Sequence, residues 1–590
     1  MLIDARALPE DTLIEHDICI VGAGAAGITL AKEFIGQPYQ VCLLESGGLD
    51  FDDATQSLYT GENVGVPYFP LKESRVRYLG GSTNLWGGTS RPLDEIDFED
   101  RPWMPYSGWP FTKAELDPYY ERAQKVCGLG PYKYDFADWE DELRRLGRLN
   151  LPFQGDEIVT YIFQVMQRTN LRFGEVYKAE IERAPNIKTY LHANVVEIET
   201  NDTAQAVTQL RVASLEGNKF WVRAKIFILA CGGIENPRLL LVSNKVQNTG
   251  LGNQYDLVGR FFMEHPYLRS GKVILSKPNA LYPNQPKQKI QVHQSRLMTA
   301  LALSKEVQER EQILNFALRL VPIVPEWLEA YQRIRNRNWQ EKGSNGHFSS
   351  FVNDLSKVIA NFDEVIARAW AKRKVKQPPF PERFFESHLI SEQAPNPDSR
   401  VTLSRERDKL GLNRVNLDWR LCPIDKYTIQ RSQQIIGEEL KRPGLGQLEI
   451  DLGYDDVSWQ ALMQRTQQRL DEKFAPSDSD QHEIRLKLGI RLHEDSYWQT
   501  LRGSYHHMGT TRMSTNPRQG VVNEHSQVHE ISNLYVTGSS VFPTGGLSNP
   551  TLTIVALAIR LADDIKARMR SSAGAEQNAY ATSKTSVAVK

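Results

Sequence analysis

Apolar runs bounded by glycine alternate with amphipathic stretches along this chain. Asp17–Gly22 (DICIVG) is a short apolar run, the pattern of a buried strand. It passes through Gly22-Ala-Gly24-Ala-Ala-Gly27 into a helix predicted over Ile28–Phe34, and a second strand over Tyr39–Leu44 ends at Glu45. A helix is predicted over Lys113–Val126, closed by Gly128. Alternation over Asn186–Glu199 and the run Phe220–Ala230 predict strands, and after Cys231-Gly-Gly233 a helix follows at Asn236–Val242. Near the end, an apolar strand at Leu534–Val536 precedes a Pro/Gly loop and a helix starting at Pro550. Asn549 is its N-cap, and Ile554, Leu557, Ala558 and Leu561 share one face. The α/β pattern at both ends of the chain predicts one discontinuous domain.

Between these ends the pattern changes. Lys272–Ser276 and Ser295–Leu303 read as sheet, and Val307–Lys376 as largely helical, closed by the basic, proline-bearing run WAKRKVKQPPFPERFF. Such a run suits either a docking patch or a solvated helix end. Ser391–Trp419 reads as strands joined by turns, Ile424–Lys441 as a helix, and Gln447–Ile490 as a strand with charged helices. The last twenty residues are small and polar, which predicts disorder. The expected division is 1–266, 267–500 with a helical insertion at about 305–376, 501–570, and a disordered tail at 571–590.

At 590 residues with a formal charge of −1, the chain has ample core and no charge bias toward nucleic acid. The five cysteines form no C-x-x-C motif, which argues for a reducing compartment and against structural zinc or attached haem. No metal site is expected. The acidic N-terminus lacks a leader-like apolar stretch, and no apolar run reaches the ~18 residues of a membrane span. A cytoplasmic protein without a transmembrane segment is the resulting expectation.

The first strand–turn–helix is a dinucleotide fingerprint: Gly22 for the tight turn, Gly24 for close approach to a pyrophosphate, Gly27 for helix–strand packing. Glu45, at the end of the second strand, suits ribose hydroxyls and disfavours a 2′-phosphate, so FAD or NAD is preferred over NADP. The loop Arg77–Pro92 (RYLGGSTNLWGGTSRP) has four glycines with which to lie against a flat ligand. The run GSYHHMGTTRM carries a base candidate in His506 and a rival in His507.

These landmarks, in order, resemble the glucose–methanol–choline (GMC) flavin oxidoreductases: VGAGAAGITLAKE with Glu45, LGGSTNLWGG, SGWPF, LACGGIENPRLLL, VGRFFMEHP, EQAPNPDSRVTLS, YHHMGTTRM and GSSVFPTGGLSNPTLTIVALA. The loop GGSTNLWGG looks closer to the bacterial sugar and polyol dehydrogenases of that family than to its fungal glucose or aryl-alcohol oxidases. The resemblance implies a Rossmann-like FAD-binding domain, α/β in class and discontinuous. Beside it stands an α+β substrate domain on an antiparallel sheet. It implies oxidation of a sugar, polyol or other alcohol to a carbonyl, with hydride passing to flavin N5. It places the base at His506 and its partner at Asn549. The implied FAD contacts are Gly22, Gly24, Gly27, Glu45, Gly81, Asn84 and Val195, with Gly538 and Thr551 near the flavin. Some members attach FAD covalently through a histidine of the Gly-rich loop; Leu85 stands at that place here, which implies non-covalent FAD. The electron acceptor is open between oxygen, a quinone and a redox partner protein. The alternatives are a non-oxidative lyase or isomerase on the same fold, or an electron-transfer subunit.

Overall fold

The computed structural model describes residues 1–145, 155–276, 290–292, 294–323, 384–453, 455–474 and 500–587, with a few single positions between them. Two large sheets organise these residues, with a cavity between them.

The first sheet is built around the fingerprint. Thr12–Val21 lies parallel to Val41–Leu44 on one side and to Lys219–Leu229 on the other. Ile18, Cys19, Ile20, Val41 to Leu43, Phe227 and Ile228 are fully buried, which is why these strands read as continuous apolar runs rather than alternating ones. Ile187–Leu191 and then Leu2–Asp4 extend the parallel set beyond Val41–Leu44. An antiparallel arm of Val207–Ala213 and Asn194–Thr200 leaves from the start of Lys219–Leu229. The end of that same strand pairs in parallel with Leu534–Val536, Leu229 opposite Val536. The α/β domain is therefore closed by residues from the far end of the chain.

The second sheet is antiparallel. Its order is Gly446–Glu449, Tyr267–Leu275, Phe384–Ser391, Phe316–Pro322, Ser295–Leu303, Ile158–Val165 and Thr89–Ser90, with Leu501–Arg502 also paired to Tyr267–Leu275. Ile158–Val165 and Thr89–Ser90 come from within 1–266, so the chain crosses between the two layers before residue 267.

Two stretches differ from the sequence pattern. Helix is expected from residue 305 on, and Lys305–Glu311 is helical, but Phe316–Pro322 is a strand. Phe316, Leu318 and Leu320 alternate on one buried face, and pairing on both edges outweighs the helical neighbourhood. Most of the remaining expected insertion, the basic run included, lies outside the described residues. At the other end, the helix begins at Thr551, one residue later than predicted, and continues to Val587 through the tail expected to be disordered. Ala573, Ala575, Ala579 and Ala581 are strong helix formers, and a preformed helix lowers the cost of adding them.

The helix Lys113–Val126 packs on this C-terminal helix, Tyr120 Oη lying 2.8 Å from Thr553 Oγ1. Its start is a capping box: Thr112 Oγ1 accepts from the Glu115 backbone N–H, and the Glu115 carboxylate accepts from the Thr112 N–H at 2.9 Å. Thr112→Ala is expected to cost about 1 kcal/mol of unfolding free energy, read by denaturant melts, with flavin reduction unchanged.

Candidate active site

A cavity of about 880 Å³ runs between the sheets, near the top of the range for ligand pockets (~300–1,000 Å³). One end is the fingerprint. Gly22 has φ +99°, and a Cβ there would press on the Ala230 carbonyl oxygen at 2.8 Å. A Cβ at Gly27 would overlap the Gly22 carbonyl oxygen, so this glycine sets helix–strand contact and lies behind the cavity wall. Gly24 is the opposite case. Its Cβ would meet nothing within 4 Å, because it would stand in the cavity. Gly24 is also the N-cap of the helix Ala25–Glu33 and carries no side-chain cap, so the first turn presents backbone N–H groups toward that space. Gly538 (φ +101°) likewise leaves its Cβ position open. A cradle with two bare glycine positions and a helix N-terminus fits a dinucleotide pyrophosphate.

Glu45 is buried on the wall, where its carboxylate accepts from the Ala23 and Gly47 N–H groups, each at 2.9 Å. It is held by the turn it follows, with lone pairs left for a ribose. Gly81 (φ +51°) and Val195 line the cavity, as does Thr551 at the start of the C-terminal helix. Asn84 does not. Its amide turns back to donate to the Leu79 carbonyl at 3.0 Å, bracing the loop, and Ser82, Thr83 and Leu85 stand at the wall instead.

Sequence reasoning passed over a charged cluster on this wall. Glu235 takes Arg75 at 3.0 Å, Arg238 at 3.1 Å and Arg77 at 3.2 Å. Burial works to raise its pKa, but the three guanidiniums prevail and hold it at about 2. Glu235 and Arg238 stand together in ENPR, but Arg75 and Arg77 lie about 160 residues earlier, so the cluster is not visible as one motif.

The other end of the cavity holds the histidines. Gly259–Pro266 and Gly503–Gly509 run side by side, joined by reciprocal backbone bonds between Met263 and Met508 at 3.0 Å. Glu264, fully buried in this pairing, gathers the N–H groups of Ser504 and His506 at 2.9 Å and of His265 at 3.1 Å, together with the Tyr68 hydroxyl. Burial pushes its pKa up to about 7 against the pull of those donors. Tyr505 sits in the left-handed region (φ +64°), strain of about 1–3 kcal/mol that turns the next side chain into the cavity.

That side chain is His506. Its Nε2 lies 3.2 Å from Asn549 Nδ2, and its Nδ1 lies 2.8 Å from Nδ1 of His265. Nε2 of His265 is 2.8 Å from the Gly546 carbonyl oxygen. His507 is engaged elsewhere, its Nε2 2.9 Å from Tyr68 Oη. Burial, with Arg75 nearby, depresses its pKa to about 3, so it stays neutral. The loop carrying Gly546 and Asn549 is anchored by Glu392, which accepts from Gly546 N–H at 3.2 Å and pairs with Arg101 at 2.7 and 2.8 Å, both ions almost wholly buried. Over the histidines lies one face of the antiparallel sheet, where Phe163, Met298, Ala300, Ala317 and Ile390 form an apolar roof.

The geometry thus brings His506 and Asn549 together as expected from sequence, and adds His265 and Glu264 behind them. Among the described residues no cluster of metal-ligating side chains occurs, and no helix is long and apolar enough to cross a membrane.

Residues 395–558 match the GMC oxidoreductase family model. Over 625 residues the chain is 21% identical to the fructose dehydrogenase large subunit of Gluconobacter japonicus, covering 94% of this chain and 98% of that one. It is 22% identical over 615 residues to 2-methyl-1,2-propanediol dehydrogenase of Mycolicibacterium austroafricanum, covering 94% and 96%. Among solved structures, pyridoxine 4-oxidase from Mesorbium loti shares the fold, with a TM-score of 0.53 at 17% identity over 93% of this chain and 98% of that one.

Proposed function

We propose that the chain is a GMC oxidoreductase that binds FAD and oxidises the CH–OH group of a sugar, polyol or other alcohol to a carbonyl, with His506 as base. The observation that carries this reading is the approach of His506 Nε2 to Asn549 Nδ2 on the wall of the cavity that also holds the dinucleotide cradle.

The chain's own residues support each part. The first turn after Gly24 would hold the pyrophosphate, Glu45 the ribose and Val195 the adenine side, while Gly538 and the helix start at Thr551 would face the flavin. When bound, the flavin supplies the two-electron acceptor for the hydride leaving the alcohol carbon. His506 Nε2 takes the hydroxyl proton. The Asn549 amide, 3.2 Å away, donates to the alcohol oxygen and fixes it beside that nitrogen. The apolar side chains of the sheet, with Tyr267 and Arg319 beside them on the same face, would border the substrate. Non-covalent attachment fits Leu85 on the Gly-rich loop. Cys231, the cysteine on the wall, is a poor nucleophile: burial pushes its thiol up to about 12, and it donates to the Val21 carbonyl. The free cysteines support a cytoplasmic location, and the electrons would pass to oxygen, a quinone or a redox partner protein.

The test is flavin absorbance of the purified protein without oxygen, as sugars, polyols and simple alcohols are added singly. Bleaching by one class is the expected result and names the substrate class. A bound flavin that no compound bleaches would shift the assignment to a non-oxidative or electron-transfer role.

A further inference from the structure

Hydrogen counting along the histidine chain goes one step beyond the base assignment, on which it rests. A carbonyl oxygen only accepts, so Nε2 of His265, 2.8 Å from the Gly546 oxygen, carries a hydrogen and donates it. His265 is fully buried, and burial depresses its pKa to about 4, so it is neutral and its Nδ1 bears a lone pair. That lone pair lies 2.8 Å from Nδ1 of His506, and two lone pairs do not meet at such a distance, so His506 carries its hydrogen on Nδ1. In the neutral ring this leaves His506 Nε2 unprotonated, toward Asn549 and the cavity.

We infer that His265 is a positioning residue, which locks His506 in the tautomer whose unprotonated Nε2 can accept the substrate proton. An isolated imidazole can carry its hydrogen on either nitrogen; here one choice is enforced from 241 residues away in sequence. When the alcohol O–H breaks, its proton bonds to Nε2, and the Nδ1 hydrogen stays where it is. The resulting imidazolium is held by an acceptor that does not itself take the proton, because burial keeps His265 from becoming a cation. His265 is in turn held by two independent contacts: its backbone N–H on Glu264, and its ring on Gly546, whose own N–H is fixed by Glu392. The charged and titratable groups around the pair are Glu264, Tyr68 and His507 on one side, and Glu392, Arg101 and Asp97 on the other.

Glutamine offers a test that does not depend on knowing the substrate. Its amide presents an acceptor and a donor with a separation close to that of the two imidazole nitrogens, so His265→Gln can keep both bonds, whereas His265→Leu keeps neither. In flavin-loaded protein with ¹⁵N-labelled histidine, with the His506 signals assigned by their loss in His506→Ala, nitrogen shifts read the tautomer directly. Wild type and His265→Gln are expected in the Nδ1–H form, and His265→Leu in a mixture or in the Nε2–H form. An Nε2–H ring in wild type, or an unaltered ring in His265→Leu, overturns the inference. If the leucine variant does not fold, the wild-type and glutamine spectra decide alone.

Kinetics add a second reading, using the compound that bleaches wild-type flavin. Flavin reduction is expected to fall roughly 10²–10⁴-fold in His265→Leu and to be largely rescued in His265→Gln, with the limb of the pH profile assigned to His506 displaced only in the leucine variant. A slow His506→Ala beside an unaffected His265→Leu would remove the positioning role and leave the base in place. A fast His506→Ala would remove the base itself.

Discussion

His506→Ala is expected to keep its flavin and its fold and to reduce that flavin roughly 10²–10⁴-fold more slowly, the range for losing an acid–base group. The side chain is partly exposed to the cavity, and its loss removes the ring contacts to His265 and Asn549. It leaves the backbone bond from residue 506 to Glu264 untouched. The measurement is single-turnover bleaching without oxygen, with a melting curve beside it. His507 offers no substitute, since its Nε2 is committed to Tyr68 and burial keeps it neutral. An unchanged rate would move the proton acceptor to another wall residue.

Gly24→Val is expected to abolish cofactor binding while the apoprotein still folds. The backbone at Gly24 is extended (φ −87°, ψ −161°), which any residue adopts, and a Cβ there meets no protein atom within 4 Å. The substitution is therefore mild for the polypeptide. Its branched side chain instead fills the space in front of the helix N-terminus, where a pyrophosphate has to sit. A colourless, cooperatively melting protein is the expected outcome, and a fully loaded yellow one would contradict the site. Gly27→Val makes the informative contrast: its Cβ would overlap the Gly22 carbonyl, so there the fold itself fails.

The contrast between these glycines shows what the sequence discloses. The fingerprint is legible because its logic is local: strand, tight turn, helix and acid follow one another within thirty residues. Elements whose own periodicity decides their structure are equally legible, and Lys113–Val126 and Ser295–Leu303 have the bounds the pattern predicts. The strand Phe316–Pro322 is less so, since its pairing partners on either edge are what select sheet over helix. Asn84 marks a different boundary. Resemblance locates it on the right loop, but whether its amide faces a ligand or the Leu79 carbonyl is a matter of rotamer and turn geometry. His265 was in view within GRFFMEHP and carried no visible role, because its function comes entirely from a neighbour brought near by the Met263–Met508 pairing.

The strand Leu534–Val536 completes a sheet whose other parallel members all precede residue 230. On the ribosome this imposes an order. At about 5–20 residues per second, a nascent chain waits on the order of tens of seconds between presenting Lys219–Leu229 and releasing the strand that covers its edge. During that interval the glycine cradle exists without the helix from Thr551, without His506 and without Asn549. On the proposed reading, a chain cut short there lacks its base, and redox competence would wait until synthesis is nearly finished. The same arrangement leaves the end of Lys219–Leu229 as an unpaired strand edge until its partner is made, the kind of edge that invites wrong pairing.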